Sequence, residues 1–373
     1  MVLTRIKEEV LNSPKLGERR GRFNGVVVIG GANIDLRGRP EGAMLERHTS
    51  NPGRINVGSG GVGRNIAHTL ALLNVPVTLL SAVGDDGEGI RILEETGKAG
   101  VRMRQMIISG EHPTGIYLAI LDENGEMEVA VSDMQILEEI TVEYLRSKVY
   151  LIKESKIVVM DTNIPEESIE YVVDLCNKVG VPILVEPVSV EKARKLRKVL
   201  DGRERGSEGE SRSEKRTIDY VTPGRDELES ILGAGTERER DDDEGTDIDL
   251  VKAVEELRCK GAKNVIVTLG DRGIYISDNG GSEGRKDDWN KFIAPYRGDV
   301  VDVTGAGDAL VAGLVYGIYK GYSLEVAARF GLGAAALTIS TKEAVRRDLR
   351  EGLLISRIEE EKEEGEEGKR GRL

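Results

Sequence analysis

Short, unbroken apolar runs alternate along this chain with stretches whose apolar residues recur every three or four positions. Gly25–Gly31 (GVVVIGG) is a run of the first kind and ends in glycines, as expected of a buried strand that delivers its loop to a site. VTLLSAV (Val77–Val83), IVVM (Ile157–Met160), PILVE (Pro182–Glu186), YVT (Tyr220–Thr222) and NVIVTL (Asn264–Leu269) repeat it. Between them lie helical patterns such as Glu167–Val179 and Leu250–Cys259. Alternation of this kind predicts an α/β fold, a doubly wound and mostly parallel sheet flanked by helices.

Two regions depart from the pattern. Leu36–Val57 is polar and turn-rich, and Thr114–Val131 reads as a hairpin with its turn at Glu123-Asn124-Gly125. Segments near 36–57 and 112–135 are therefore expected to form a small β-lid, and a flat lid must cover its apolar face, so a homodimer through the lid follows. Charged stretches near 201–216, 236–248 and 279–288 read as solvated insertions in one domain over 25–350. An extension (1–24) precedes that domain, and a charged tail (351–373), also read as solvated, follows it.

Composition narrows the partners. Among 373 residues, 53 Lys and Arg against 66 Asp and Glu leave a net charge of -13, which argues against nucleic acid or an anionic membrane as a general partner. Cys176 and Cys259 sit in helical patterns without metal-ligand spacing and are expected as core thiols, while His48, His68 and His112 are too scattered for a structural zinc. The start of the chain has no apolar leader and no run spans a bilayer, so a cytoplasmic location is expected.

Candidate chemistry concentrates in DVVDVTGAGDAL (Asp299–Leu310). A long helix candidate follows Thr304, so Gly305, Ala306 and Gly307 form its first turn, where unpaired N–H groups and small residues suit a phosphate. Asp308 behind them is either an ordinary first-turn acid or a base for a hydroxyl attacking that phosphate; phosphoryl transfer needs both features together, which favours the base.

A second glycine cluster, Gly58–Gly63 (GSGGVG), precedes Arg64, Asn65 and another helix. It contains G-x-G-x-x-G, and Asp85 lies at the distance of a ribose-binding acid, as in a dinucleotide site. The run before it, SNPGRINV, is a poor buried strand, which weighs against that reading. Alternatively Gly60, Gly61 and Asn65 close around a polyhydroxyl substrate, with Asn33 and Asp35 adding hydrogen bonds; an ordinary polar turn is the plainer account of that last pair.

With these pieces placed, the chain resembles the ribokinase-like, or PfkB-type, carbohydrate and nucleoside kinases. Asp299–Gly313 is similar to their C-terminal signature and Gly58–Leu73 to their N-terminal one. The resemblance implies an ATP-dependent phosphotransferase with an alcohol acceptor, in which Asp308 is the base and the amides of Gly305, Ala306 and Gly307 meet the phosphoryl group. Asn33, Asp35, Gly60, Gly61 and Asn65 would bind the sugar. VTLGDRG (Val267–Gly273) resembles the family's ATP-side turn, making Thr268, Gly270 and Gly273 nucleotide contacts, and FGLGAAALTI (Phe330–Ile339) resembles its adenine helix, which adds Gly333. Glu227 and Glu186 would order magnesium waters, although Gly224 stands where the family carries Asn. Asp302 and Thr304 match positions near which many members hold a monovalent cation, so the implied cofactors are ATP, Mg2+ and K+. HTSNPGRI (His48–Ile55), AVSDMQI (Ala130–Ile136) and VEPVSVEKA (Val185–Ala193) resemble the branch that phosphorylates pseudouridine on its 5′-hydroxyl, with Ser50, Asn51 and Asp133 over the base. Another nucleoside, a sugar, or a silent nucleoside-binding protein are the alternatives.

Overall fold

In the computed structural model, which describes residues 23–42, 45–122, 127–201, 216–233, 247–279 and 289–370, the apolar runs assemble into one eight-stranded sheet. With strands numbered in chain order, it contains β1 (Val26–Ile29), β4 (Val77–Leu80), β9 (Ile157–Asp161), β10 (Ile183–Glu186), β11 (Ile218–Val221), β12 (Ala262–Thr268), β13 (Ile274–Asp278) and β14 (Trp289–Ile293). The order is β14-β13-β12-β11-β10-β9-β1-β4, parallel from β12 to β4. β1 is paired on both edges and buried on both faces, which is why it reads VVVI rather than alternating.

The helices are α1 (Val62–Leu72), α2 (Gly87–Lys98), α3 (Val142–Ser147), α4 (Val149–Glu154), α5 (Glu166–Val179), α6 (Val190–Asp201), α7 (Arg225–Leu232), α8 (Asp247–Lys260), α9 (Ala306–Lys320), α10 (Leu324–Ile339) and α11 (Glu351–Arg370). They cover both faces of the sheet. Val26 and Val28 join Ile66, Leu70, Leu314, Phe330 and Leu354 in one core layer, while Val27 and Ile29 join Val172, Leu196 and Leu257 in the other.

A four-stranded lid stands apart, ordered β3-β2-β7-β8: β2 (Asn33–Pro40), β3 (Gly53–Gly60), β7 (Gly115–Leu121) and β8 (Met127–Asp133). The hairpin turn at Glu123-Asn124-Gly125 falls outside the described residues. Register puts Val57, Leu36, Leu118 and Val131 in one row and Gly58, Asp35, Tyr117 and Ser132 in the next, so Asp35 and Arg37 share the face opposite the apolar row. A short pair, β5 (Ala82–Gly84) and β6 (Ile107–Ser109), completes the strands.

Three differences from the sequence reading have physical causes. β13 and β14 add an antiparallel edge that the polar stretch around 279–288 had hidden; residues 280–288, like most of the other two insertions and residues 1–22, lie outside the described part. The tail after Glu351 is helical rather than solvated throughout, because Leu354 and Ile358, one helical turn apart, are buried against α10. Cys176 is buried as expected, whereas Cys259 is exposed on α8. Among the described residues no helix is long and apolar enough to cross a membrane.

Candidate active site

Every parallel strand from β1 to β12 ends on the same side, the side where open α/β sheets collect ligands. There α9 begins. Gly305, its N-cap, has φ +78°, and a Cβ on it would meet the Ala344 carbonyl at 2.0 Å, so only glycine fits. A Cβ on Gly307 would meet nothing within 4 Å, which leaves the space above the turn open. The Ala306 N–H is already donated to Val303 O at 3.2 Å; the N–H groups of Gly305, Gly307 and Asp308 have no acceptor among the described residues. Of the three N–H groups expected to be open, those of Gly305 and Gly307 are, Ala306 is not, and Asp308 takes its place.

Asp308, half-buried in this first turn, accepts from Asn65 Nδ2 at 2.8 Å. Asn65 Oδ1 in turn accepts from Arg64 Nη1 at 3.0 Å, which fixes the amide with its NH2 toward the carboxylate. Burial pushes the Asp308 carboxyl up to about 7; the Asn65 hydrogen bond opposes this, and the charges of Asp161 and Asp35 add to it. The carboxyl is thereby set near neutrality.

Helix α1, which carries Asn65, is held by a residue the sequence reading passed over. Asp161, buried at the end of β9, accepts from Gly31 N and Gly63 N, both at 2.8 Å through Oδ2, and from Asn163 N at 2.9 Å through Oδ1. Burial raises its pKa against those three donors. A Cβ on Gly30 would strike this carboxylate at 2.1 Å, and Gly61, at φ +95°, packs onto Gly31 O. The glycines of both loops thus let the start of α1 close on the end of β1, with the acid between them.

On the lid, Asn33 Nδ2 donates to Asp35 Oδ1 at 2.7 Å, and Gly60 leaves the room that the Asp35 carboxylate fills. Burial raises the Asp35 pKa, opposed by Asn33, Arg37 and Arg64. Asp35, Asn65 and Asp308 therefore converge, as the sequence suggested. The base-facing residues do not join them. Asp133 pairs with Ile116, which pairs with Ile34, so the pleat turns it to the face opposite Asp35. Asn51 is spent on its own loop, exchanging hydrogen bonds with Glu46 N and O at 2.8 Å each, and Ser50 is exposed.

On the other side, Glu186 ends β10 and accepts from Thr222 Oγ1, while Glu227 in the first turn of α7 accepts from Gly224 N at 2.7 Å. Burial lifts Glu186 well above the carboxylate range, and Glu227 and Asp308 add to it; burial raises Glu227 as well. Two acids without a cation between them suit a metal held through water, and the described residues contain no cluster of three direct ligands. Thr268 ends β12 beside Gly224, and Gly270 is exposed at φ +62°. Gly273 and Gly333 have packing reasons to be glycine: a Cβ on the first would meet Ile293 O at 2.2 Å, and on the second Leu354 and Ile358 of α11 at 3.1 and 3.2 Å. Asp302 and Thr304 do not fit a monovalent cation through their side chains, because both oxygens already hold the Arg37 guanidinium at 2.9 Å.

A lidded α/β sheet with a half-buried carboxyl group behind an open helix N-terminus defines a phosphotransferase architecture, and comparison with known proteins agrees. The model of the pfkB family of carbohydrate kinases matches residues 24–203 and 210–349. Pseudouridine kinase of Escherichia coli is 35% identical over 90% of this chain and 96% of its own length, and the E. coli sugar kinase YeiI is 33% identical over 86% and 82%. The structure of Arabidopsis thaliana ribokinase with ribose and ATP superposes with a TM-score of 0.70 at 25% identity, covering 90% of this chain and 98% of that one. The chain belongs to the pfkB family of carbohydrate kinases. It is a kinase that transfers a phosphoryl group to an alcohol acceptor.

Proposed function

We propose that this chain phosphorylates the 5′-hydroxyl of pseudouridine with ATP, giving pseudouridine 5′-phosphate and ADP. The observation that carries the chemistry is the Arg64–Asn65–Asp308 chain beside the open turn of α9; the substrate rests on the 35% identity to the E. coli pseudouridine kinase. Asp35, with Asn33, accepts from the ribose hydroxyls. Asp308, whose Oδ2 is tied to Asn65, takes the hydroxyl proton on its other oxygen as the new O–P bond forms and the γ-phosphorus separates from ADP. The N–H groups of Gly305, Gly307 and Asp308 receive the charge on the moving phosphoryl. Thr268 and Gly270 line the nucleotide side. Magnesium, bound with the nucleotide, would supply positive charge to the phosphates, and Glu186 and Glu227 would hold it through water.

The lid also supports association into a homodimer. Ile55, Val57, Leu118, Val129 and Val131 lie exposed on one face of a sheet whose other face turns to the substrate, and the same face of a second copy is its occupant. Val131→Lys should convert a dimer to a monomer in light scattering. A cytoplasmic location fits a kinase that draws on ATP.

Incubation with ATP, magnesium and a mixture of pseudouridine, uridine, guanosine, ribose and fructose, read by mass spectrometry, tests the substrate. Phosphorylated pseudouridine, lost in Asp308→Asn, is the expected result; phosphate on another compound would overturn the substrate and keep the kinase.

A further inference from the structure

Arg37 lies on the same face of β2 as Asp35, two residues beyond it, and its guanidinium is held by the turn before α9. Its Nη1 donates at 2.9 Å to both Asp302 Oδ2 and Thr304 Oγ1, more than 260 positions along the chain. The other Asp302 oxygen accepts from Thr304 N at 2.8 Å, and Val301 and Asp302 are anchored from behind through Ile339 O. One carboxylate therefore links the lid strand to the turn that runs into Gly305. Register places Arg37 beside Ala119 of β7, whose small, buried side chain leaves the guanidinium room to extend toward Asp302.

We infer that Arg37 is a positioning residue, which bolts the lid to the turn opening α9 and supplies from within the chain the positive charge that a monovalent cation would otherwise bring there. The planar guanidinium suits this better than an ammonium, since its N–H groups have fixed directions and its charge is permanent. With side-chain exposures of 20% and 28%, the Arg37–Asp302 pair is a geometric device more than a source of stability. Asp35 and Asp308 stand on the two parts so joined. The bolt sets how the acceptor hydroxyl meets its base, and misplacement by about 1 Å can cost on the order of a hundredfold in rate.

This inference rests on the acceptor site lying under the lid, and amide hydrogen exchange tests the bolt without turnover. In Arg37→Met, exchange in Arg54–Gly60 and Gly115–Leu121 should accelerate about tenfold or more as lid opening becomes easier. Its kcat should fall by roughly 10- to 100-fold with little change in the KM for ATP, and Arg37→Lys should recover part of the loss. Asp302→Asn keeps the turn cap and removes the charge, so it should reproduce the effect, and the double variant should be no worse than either single one. Wild-type turnover should be the same in potassium and tetramethylammonium salts. Unchanged lid exchange in both single variants, additive losses, or several-fold potassium activation of the wild type would overturn the inference. Faster exchange with no phosphorylated product from any acceptor would leave the bolt standing and defeat the substrate reading.

Discussion

Two glycine-rich turns open two helices at this site, and they are built to opposite ends. At the start of α1 the freed N–H of Gly63 is met by the protein's own carboxylate, Asp161, which also ties Gly31 and Asn163. At the start of α9 the N–H groups of Gly305, Gly307 and Asp308 stay unpaired among the described residues, and the acid there is tied only through Asn65. The first turn is a closed joint and the second an open receptor. Glycine content alone does not separate them; what separates them is whether an internal acid fills the donors.

The comparison can be broken at several points. Asp308→Asn should cost about 10³-fold in kcat while leaving the fold intact, because it removes a proton acceptor and no packing; steady-state assay with circular dichroism checks it. Asp161→Ala should instead act on stability, by about 2–4 kcal/mol in urea titration, since buried Gly31 and Gly63 donors lose their acceptor. If Asp161→Ala were as stable as the wild type, the closed joint would be misread.

pH sharpens the contrast. Because burial raises Asp308 to about 7, the folded state favours the neutral acid; that contribution is complete below the unfolded carboxyl range and is lost as pH rises through about 7. Ionisation is required of a base, so kcat/KM should fall about tenfold per unit below pH 7, and Asp308→Asn should be more stable than the wild type at pH 8. A flat profile between pH 5 and 8 would remove the poised base. Gly305→Ala should destabilise by about 1–2 kcal/mol on account of its positive φ and the Ala344 carbonyl, whereas Gly307→Ala, with open space around it, should leave the melting temperature alone and weaken ATP binding. Smallest is Gly224→Asn: a Cβ there meets Glu227 and Thr268 at ordinary distances of 3.5 and 3.6 Å, and an Asn N-cap should add a few tenths of a kcal/mol to thermal stability.

The open turn was legible in the sequence because its parts, Gly305, Gly307 and Asp308, are contiguous and small residues beside an acid carry a recognisable logic. Asp161 was not, since DTN after an apolar run looks like any strand end and its amide partners lie 130 and 98 residues away. The face that Asp133 takes, opposite Asp35, was hidden for a different reason: a lid strand was predictable, but which face each residue takes depends on pairing register, which tertiary contact sets. Arg37 stands two residues from Asp35 in the sequence and still gave no sign of its partner, because long-range ion pairs leave no periodicity to read.

The seating of α11 on Gly333 bears on how the chain matures. The strands β1, β4 and β9 at one side of the sheet are synthesised early, yet the helical layer over them receives Leu354 and Ile358 from far later in the sequence. A growing chain carries that apolar surface uncovered until α11 has been made, when this helix swings in as a lagging cover. Truncation just after Arg350 would make the lag permanent, and loss of solubility, rather than a change in turnover, is how the cell would register it.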